Sequence, residues 1–219
     1  GAVNFDEIVI DGIPEKSEES TRIMSFNVRC KNDGKQTITN RSKVAVEVIR
    51  QYAPDSFGVQ ECTPRWKRIL AANVGKDYAC VGAARDYYGP FTEYSSIYYL
   101  KDKYDLIDSG TFWLSETPEK KWTKSFDSAC FRVASWALLE DKETGMRYTH
   151  INTHLDHVGV LARRNGVELM LNHLKNYNDI PAVFTADMNI LEGEENYLQF
   201  VNSGFMYDTK YKAESTTSG

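Results

Sequence analysis

Four times along this chain, a short strand-like run ends in a side chain able to hold a cation, a phosphate oxygen or a water. The clearest case is the apolar run Ile180-Pro181-Ala182-Val183-Phe184, followed at once by Thr185-Ala186-Asp187-Met188-Asn189. The run has the length of a short buried strand opening into a loop. Asp187 and Asn189, two residues apart, lie on one side of the chain if it stays extended. Taken alone, Asp-x-Asn is more often a turn former. The other three runs are Arg22-Ile23-Met24-Ser25-Phe26-Asn27, Phe57-Gly58-Val59-Gln60-Glu61 and Tyr148-Thr149-His150-Ile151-Asn152-Thr153-His154. Strands that deliver Asn, Glu, His or Asp at their C-terminal ends predict one shared site at one edge of a core. An acid and an amide held there can grip a hard cation, a phosphate oxygen or an attacking water.

Between these runs the chain alternates strand and helix patterns. Asn40 is the expected cap of a helix running to about Tyr52, with Val44, Val48 and Ile49 on one face. Thr63-Pro64 starts a second helix, a cap residue followed by Pro in the first helical position, and turns Trp66, Ile69 and Leu70 inward. Strands are predicted over 78–84, 95–100 and 104–114. A helix is predicted from Val158 to about Tyr177, with Leu161, Val167, Leu171 and Leu174 on its apolar face and Arg163 and Arg164 in solvent. A short helix over 196–203 stops at Gly204. The loop Arg85-Asp86-Tyr87-Tyr88-Gly89-Pro90 and the long loop 115–130, with Trp122 and Phe126, are expected to border the site. This alternation predicts an α/β domain, and 219 residues are enough for one substantial core. The domain is placed at 22–219. Residues 1–21 form an N-terminal extension: 3–10 alternate like a strand and 11–21 are polar and linker-like. That strand is either the end of a preceding module or an extra edge strand of this domain.

The net charge of −5 argues against a broad sequence-independent grip on nucleic acid, which needs a basic face. No apolar run reaches the roughly 18 residues of a membrane-spanning helix. The four cysteines, Cys30, Cys62, Cys80 and Cys130, lack Cys-x-x-Cys spacing and are read as free thiols rather than zinc ligands.

In order, Met-Ser-Phe-Asn (24–27), Gln-Glu (60–61), Asn-Thr-His-Leu-Asp-His (152–157) and Ala-Asp-Met-Asn (186–189) resemble the motifs of the endonuclease/exonuclease/phosphatase superfamily, the deoxyribonuclease I-like proteins. The stretch from Asp108 to Pro118 and Arg132-Val133-Ala134-Ser135-Trp136 resemble a bacterial branch of it. The resemblance implies a four-layer α-β-β-α sandwich of two mainly antiparallel sheets. It also implies a Mg²⁺- or Mn²⁺-dependent phosphoric ester hydrolase, whether phosphodiesterase, phosphatase or nuclease. On this pattern Glu61 holds the metal with Asn27 nearby, and Asp187 and Asn189 orient the attacking water or the phosphate. His154 supports a phosphoryl oxygen, and Glu93 hydrogen-bonds His154 in one tautomer and favours its charged form. Arg132 and His157 lie near the phosphate. The expected substrate is a small phosphoester such as a sugar phosphate, an inositol phosphate or a lipid head group, with nucleic acid as the other candidate.

The superfamily pattern also carries an Ile-Asp-Tyr-Ile-like strand and a Ser-Asp-His motif, and neither occurs in this sequence. The resemblance therefore implies that the last strands of one sheet are missing and that catalysis by this chain is impaired. The alternative of another class is a non-catalytic ligand- or protein-binding module that keeps the fold. An upstream module and linker suit a secreted multidomain protein, so an extracellular location is expected.

Overall fold

Alternation along the strands gives each of two sheets an apolar outer face and a largely polar inner one. In the computed structural model, which describes residues 9–17, 20–177, 179–204 and 206–214, the first sheet holds β1 (Ile23–Asn27), β2 (Ser56–Cys62), β3 (Tyr78–Val81) and β4 (Tyr94–Leu100) in the order β1-β2-β4-β3. The second holds β5 (Tyr104–Trp113), β6 (Val133–Asp141), β7 (Arg147–His154) and β8 (Ala182–Asp187) in sequence order. The β1–β2 and β7–β8 pairs are parallel and the other four pairings antiparallel. Helices α1 (Ile38–Tyr52) and α2 (Pro64–Val74) cover the first sheet, while α3 (Val160–Lys175) and α4 (Glu195–Val201) cover the second. The expected α/β sandwich of mainly antiparallel sheets is present. No helix among the described residues is long and apolar enough to cross a membrane.

Period-two alternation sorts the side chains. Phe57 and Val59 of β2 pack outward against Val46 and Ile49 of α1 and Trp66 and Leu70 of α2. Ile151 of β7 packs outward against Val167, Met170 and Leu174 of α3. Between the sheets an apolar end, with Ile97, Tyr99, Tyr104, Ala137 and Leu139, gives way to a buried polar network. His150 Nδ1 lies 2.9 Å from Ser56 Oγ and its Nε2 lies 2.8 Å from Thr185 Oγ1. Asn152 donates through Nδ2 to the carbonyls of Val59 and Ser96 and accepts from Gln60 and Thr185. Every link joins one sheet to the other or one inner strand to its neighbour, so the network fixes how the sheets register.

His150 makes this layer sensitive to acid. Burial pushes its imidazole down to about 3, against roughly 6.5 in an unfolded chain. Between those values the unfolded chain binds a proton here and the folded chain does not. The stabilisation is therefore complete above pH ~6.5 and is lost as pH falls toward 3. Between pH ~7 and ~5, urea denaturation should show wild-type stability falling about 2 kcal/mol further than that of His150→Gln. Equal losses in the two proteins would show that folded His150 takes up a proton freely.

Several local expectations are corrected. The cap of α1 is Thr37, whose hydroxyl accepts from the Asn40 N–H, so Asn40 lies inside the helix. Ile38, Ser42, Ala45 and Ile49 form its buried stripe, and Val44 faces solvent because Ser42 and Ala45 are the small residues that allow close approach. In α2, Thr63 caps, Pro64 leads, and Trp66 and Leu70 are fully buried, as expected. Arg163 is buried rather than solvated, because its Nη1 donates to the Asp156 carbonyl at 3.0 Å, while Leu161 is exposed. The strand expected over 3–10 falls mainly on residues outside the described ones. Ile10 donates its N–H to Gln51 Oε1 on α1.

Candidate active site

The C-terminal ends of β1, β2, β7 and β8 meet at one edge of the sandwich, and a bulge re-aims the key carboxylate there. In the β2–β4 ladder Val59 pairs with Ser96 and Cys62 with Tyr94, so Gln60 and Glu61 together face the single residue Ser95. Glu61 takes up the extra residue with φ +57°, a left-handed conformation that costs a Glu on the order of 1 kcal/mol. Gln60 stays between the sheets on Asn152, and Glu61 turns to the open edge, where it lines the site.

Asn27 ties the two carboxylates together. Its Nδ2 donates to Glu61 Oε1 at 2.9 Å and to Asp187 Oδ2 at 2.8 Å. Glu61 Oε2 accepts the Cys30 N–H at 2.8 Å. His154, the last residue of β7, places Nε2 3.8 Å from Asp187 Oδ2. Asn189, with φ +48°, returns its N–H to Asp187 Oδ1 and donates its side-chain amide to the Leu155 carbonyl. Burial would raise the Glu61 carboxyl, but the Cys30 and Asn27 donors outweigh it and hold it at about 2. Burial, with Arg132 acting in the same sense, pushes His154 down to about 4 against the pull of Asp187 and Glu61. The site at neutral pH thus combines an ionised Glu61 with a neutral imidazole.

Arginines form the facing wall. Arg132, just before β6, is 5% exposed. Its Nε lies 3.4 Å from Asp156 Oδ2 and its Nη2 3.1 Å from His157 Nδ1, while Nη1 is buried without a partner among the described residues. The N–H groups of Val158, Gly159 and Cys130 hold the Asp156 carboxylate in place and ionised. His157 itself is exposed on the cleft.

Glu93 departs from expectation. Its two oxygens take both terminal nitrogens of Arg85, each at 2.9 Å, and the Nδ1 of His154 is left without a hydrogen-bond partner among the described residues. The cause is local: the Arg85 N–H bonds the Glu93 carbonyl beside an Ala84–Tyr94 bridge, which sets the two side chains next to each other. The expected charged form of His154 is likewise disfavoured by its burial. Arg85 opens a loop expected to border the site, but its pairing with Glu93 was not read from the sequence. An Arg and a Glu eight residues apart around a turn was the available signal.

All eight residues picked from the sequence line one cleft of about 660 Å³, together with Arg29, Lys31 and Arg85. One oxygen or nitrogen from each of Glu61, His154 and Asp187 lies within 4.8 Å of the others. Two carboxylates sharing one amide donor, beside a neutral imidazole, make a hard, anionic donor set that fits Mg²⁺ or Mn²⁺. A second group, Cys130, Asp156 and His157, is as close together. It does not fit a cation, because Asp156 is already saturated with donors and Arg132 sits against it.

The fold has solved counterparts. An endonuclease/exonuclease/phosphatase from Bacteroides vulgatus is 33% identical with a TM-score of 0.81, over 85% of this chain and 72% of that one. A mannosyl-6-phosphatase from Bacteroides thetaiotaomicron is 32% identical with a TM-score of 0.78, over 84% of this chain and 71% of that one. The human Nocturnin catalytic domain, solved with bound sulfate, shares the fold at 20% identity and a TM-score of 0.68, over 84% of this chain and 70% of that one. No protein-family model matches the chain, and neither does any curated protein sequence.

Proposed function

Because the chain belongs to the endonuclease/exonuclease/phosphatase family, we propose that it is a divalent-cation-dependent hydrolase of small phosphoesters, with a phosphorylated sugar as the favoured substrate. The observation that carries this reading is the Asn27 amide bridging Glu61 and Asp187, next to neutral His154 and opposite a buried Arg132. The resemblance to a mannosyl-6-phosphatase at 32% identity supports the sugar phosphate. The net charge of −5 weighs against a nucleic-acid polyanion.

Each group has a separate task. Arg132, held rigid by Asp156, offers its unpartnered Nη1 to a phosphoryl oxygen. Neutral His154 can donate one N–H to a second phosphoryl oxygen without carrying charge. Asn27 and Asn189 fix the Asp187 carboxylate so that it can orient a water and take its proton. Mg²⁺ or Mn²⁺, held by Glu61 with Asp187 beside it, would supply stabilisation of charge on the phosphoryl and leaving oxygens. Among the described strand ends, Asp187 is the proton acceptor this site offers.

Phosphate release from mannose 6-phosphate and glycerol 3-phosphate, and fragmentation of single-stranded DNA followed by gel electrophoresis, each with Mn²⁺ and with chelator, test the reading. The expected result is Mn²⁺-dependent release that is fastest from the sugar phosphate. No Mn²⁺-dependent reaction with any of them would sink the hydrolase reading, and preferential cleavage of DNA would sink the substrate class.

A further inference from the structure

Beside the cleft, four aromatic rings form a continuous surface that the chemistry above does not use. Tyr87 and Tyr88 come from the loop after β3, Trp122 from the loop 115–130, and Phe131 from its end. Ring centroids lie 4.8 Å apart for Tyr87–Tyr88, 5.9 Å for Tyr87–Trp122, and 6.0 and 6.2 Å from Phe131 to Tyr87 and Tyr88. Tyr87 is 60% exposed, Tyr88 53% and Trp122 49%. Single exposed aromatics need no explanation, but a contiguous set on the rim of a polar cleft marks a binding surface. The set adjoins that cleft directly: Phe131 stands between Cys130 and Arg132, Arg85 lies two residues before Tyr87, and Cys130, Arg132 and Arg85 all line the cleft.

The rings are held in place. Buried Asp86 accepts the Tyr88 N–H at 2.9 Å, and Trp113 Nε1 donates to the Arg85 carbonyl at 2.7 Å. The second loop is anchored at the same tryptophan, since the Trp113 N–H bonds the Pro118 carbonyl. Within it Thr123 Oγ1 bonds Ser115 Oγ at 2.6 Å and the Lys120 carbonyl at 2.8 Å. Trp122 itself has φ +60°, a conformation rare for a bulky side chain and kept only where the surroundings dictate it. A rigid, half-exposed indole loses little entropy when it stacks on a ligand.

We propose that Tyr87, Tyr88 and Trp122 form a platform that stacks on the apolar face of the sugar ring of a phosphorylated saccharide while the phosphate enters the arginine-walled cleft. This rests on the reading of that cleft as a phosphoester site. A ring with one C–H face and a rim of hydroxyls suits an aromatic surface edged by polar loops. A polyanion does not suit it: Lys120, Lys121 and Lys124 are offset by Glu116, Glu119 and Asp127, so the loop brings no net charge to hold a second phosphate.

Trp122 supplies the readout, because Trp66, Trp113 and Trp136 are buried. Acrylamide quenching of tryptophan fluorescence in this chain should fall on titration with mannose 6-phosphate, but not with inorganic phosphate or adenosine 5′-monophosphate at the same concentration. Trp122→Ala and Tyr87→Ala should each weaken mannose 6-phosphate binding about tenfold by calorimetry, and inorganic phosphate binding less than twofold. Absence of protection, equal protection by inorganic phosphate, stronger protection by the nucleotide, or equal weakening of both ligands would each overturn the platform. Protection without Mn²⁺-dependent hydrolysis would leave the platform standing and remove the hydrolase reading.

Discussion

Glu61→Gln is expected to weaken Mn²⁺ binding at least about a hundredfold and to lower cation-dependent phosphate release by about 10²- to 10³-fold. The substitution removes one formal charge and little else. Glutamine has the size of glutamate and can keep one of the two bonds that Glu61 makes, to Asn27 or to the Cys30 N–H. The left-handed backbone at this position is no more strained with Gln than with Glu. The lost charge is present throughout the physiological range, because Glu61 stays ionised down to about 2. The defect should therefore be constant from pH ~6 to ~8, which separates it from an effect transmitted through a titrating neighbour. Mn²⁺ affinity by electron paramagnetic resonance, with circular dichroism to establish folding, decides the matter. A folded Glu61→Gln chain that binds Mn²⁺ like wild type would remove Glu61 from the metal site.

The strand ends were legible in the sequence because they follow from a period of two, whereas the layer order was what the family resemblance implied. Once Phe57 and Val59 are assigned to a helix-covered face, Gln60 must point between the sheets. The same reading would have sent Glu61 to the helix side. It reaches the site through a bulge and a left-handed Glu, which no local preference predicts. The Arg85–Glu93 pair was hidden because it depends on a tertiary bridge across a turn, not on spacing along one element. The start of α1 was misplaced because Thr37 and Asn40 are both good caps. Asn32 settles it by accepting the Ile38 N–H at 2.8 Å. Arg163 looked solvated by charge pattern, yet the free carbonyl of Asp156 takes it inside. In each case the deciding partner lies on another element, and that is where sequence periodicity carries no information.

The polar layer between the sheets predicts the largest change in stability. Gly58→Ala is expected to cost about 4 kcal/mol and to lower the thermal midpoint by about 10 °C. A Cβ at Gly58 would lie 2.0 Å from Thr185 Oγ1 and 2.5 Å from Asn152 Oδ1, distances that force one of them to move. Neither can move alone. Thr185 Oγ1 bonds His150 Nε2, and Asn152 bonds Gln60 and the carbonyls of Val59 and Ser96. Asn152 and His150 are fully buried, so any donor or acceptor they leave has no water to replace it. The strain reaches the active site too, since Thr185 lies two residues before Asp187 on β8 and Gln60 lies one before Glu61 on β2. Calorimetric melting of Gly58→Ala should thus show a lower midpoint together with weaker Mn²⁺ binding, although residue 58 touches neither the cleft nor its arginines. A midpoint within about 2 °C of wild type would mean that the sheets can separate to admit a methyl group. The polar network would then follow the packing of the two sheets instead of setting it.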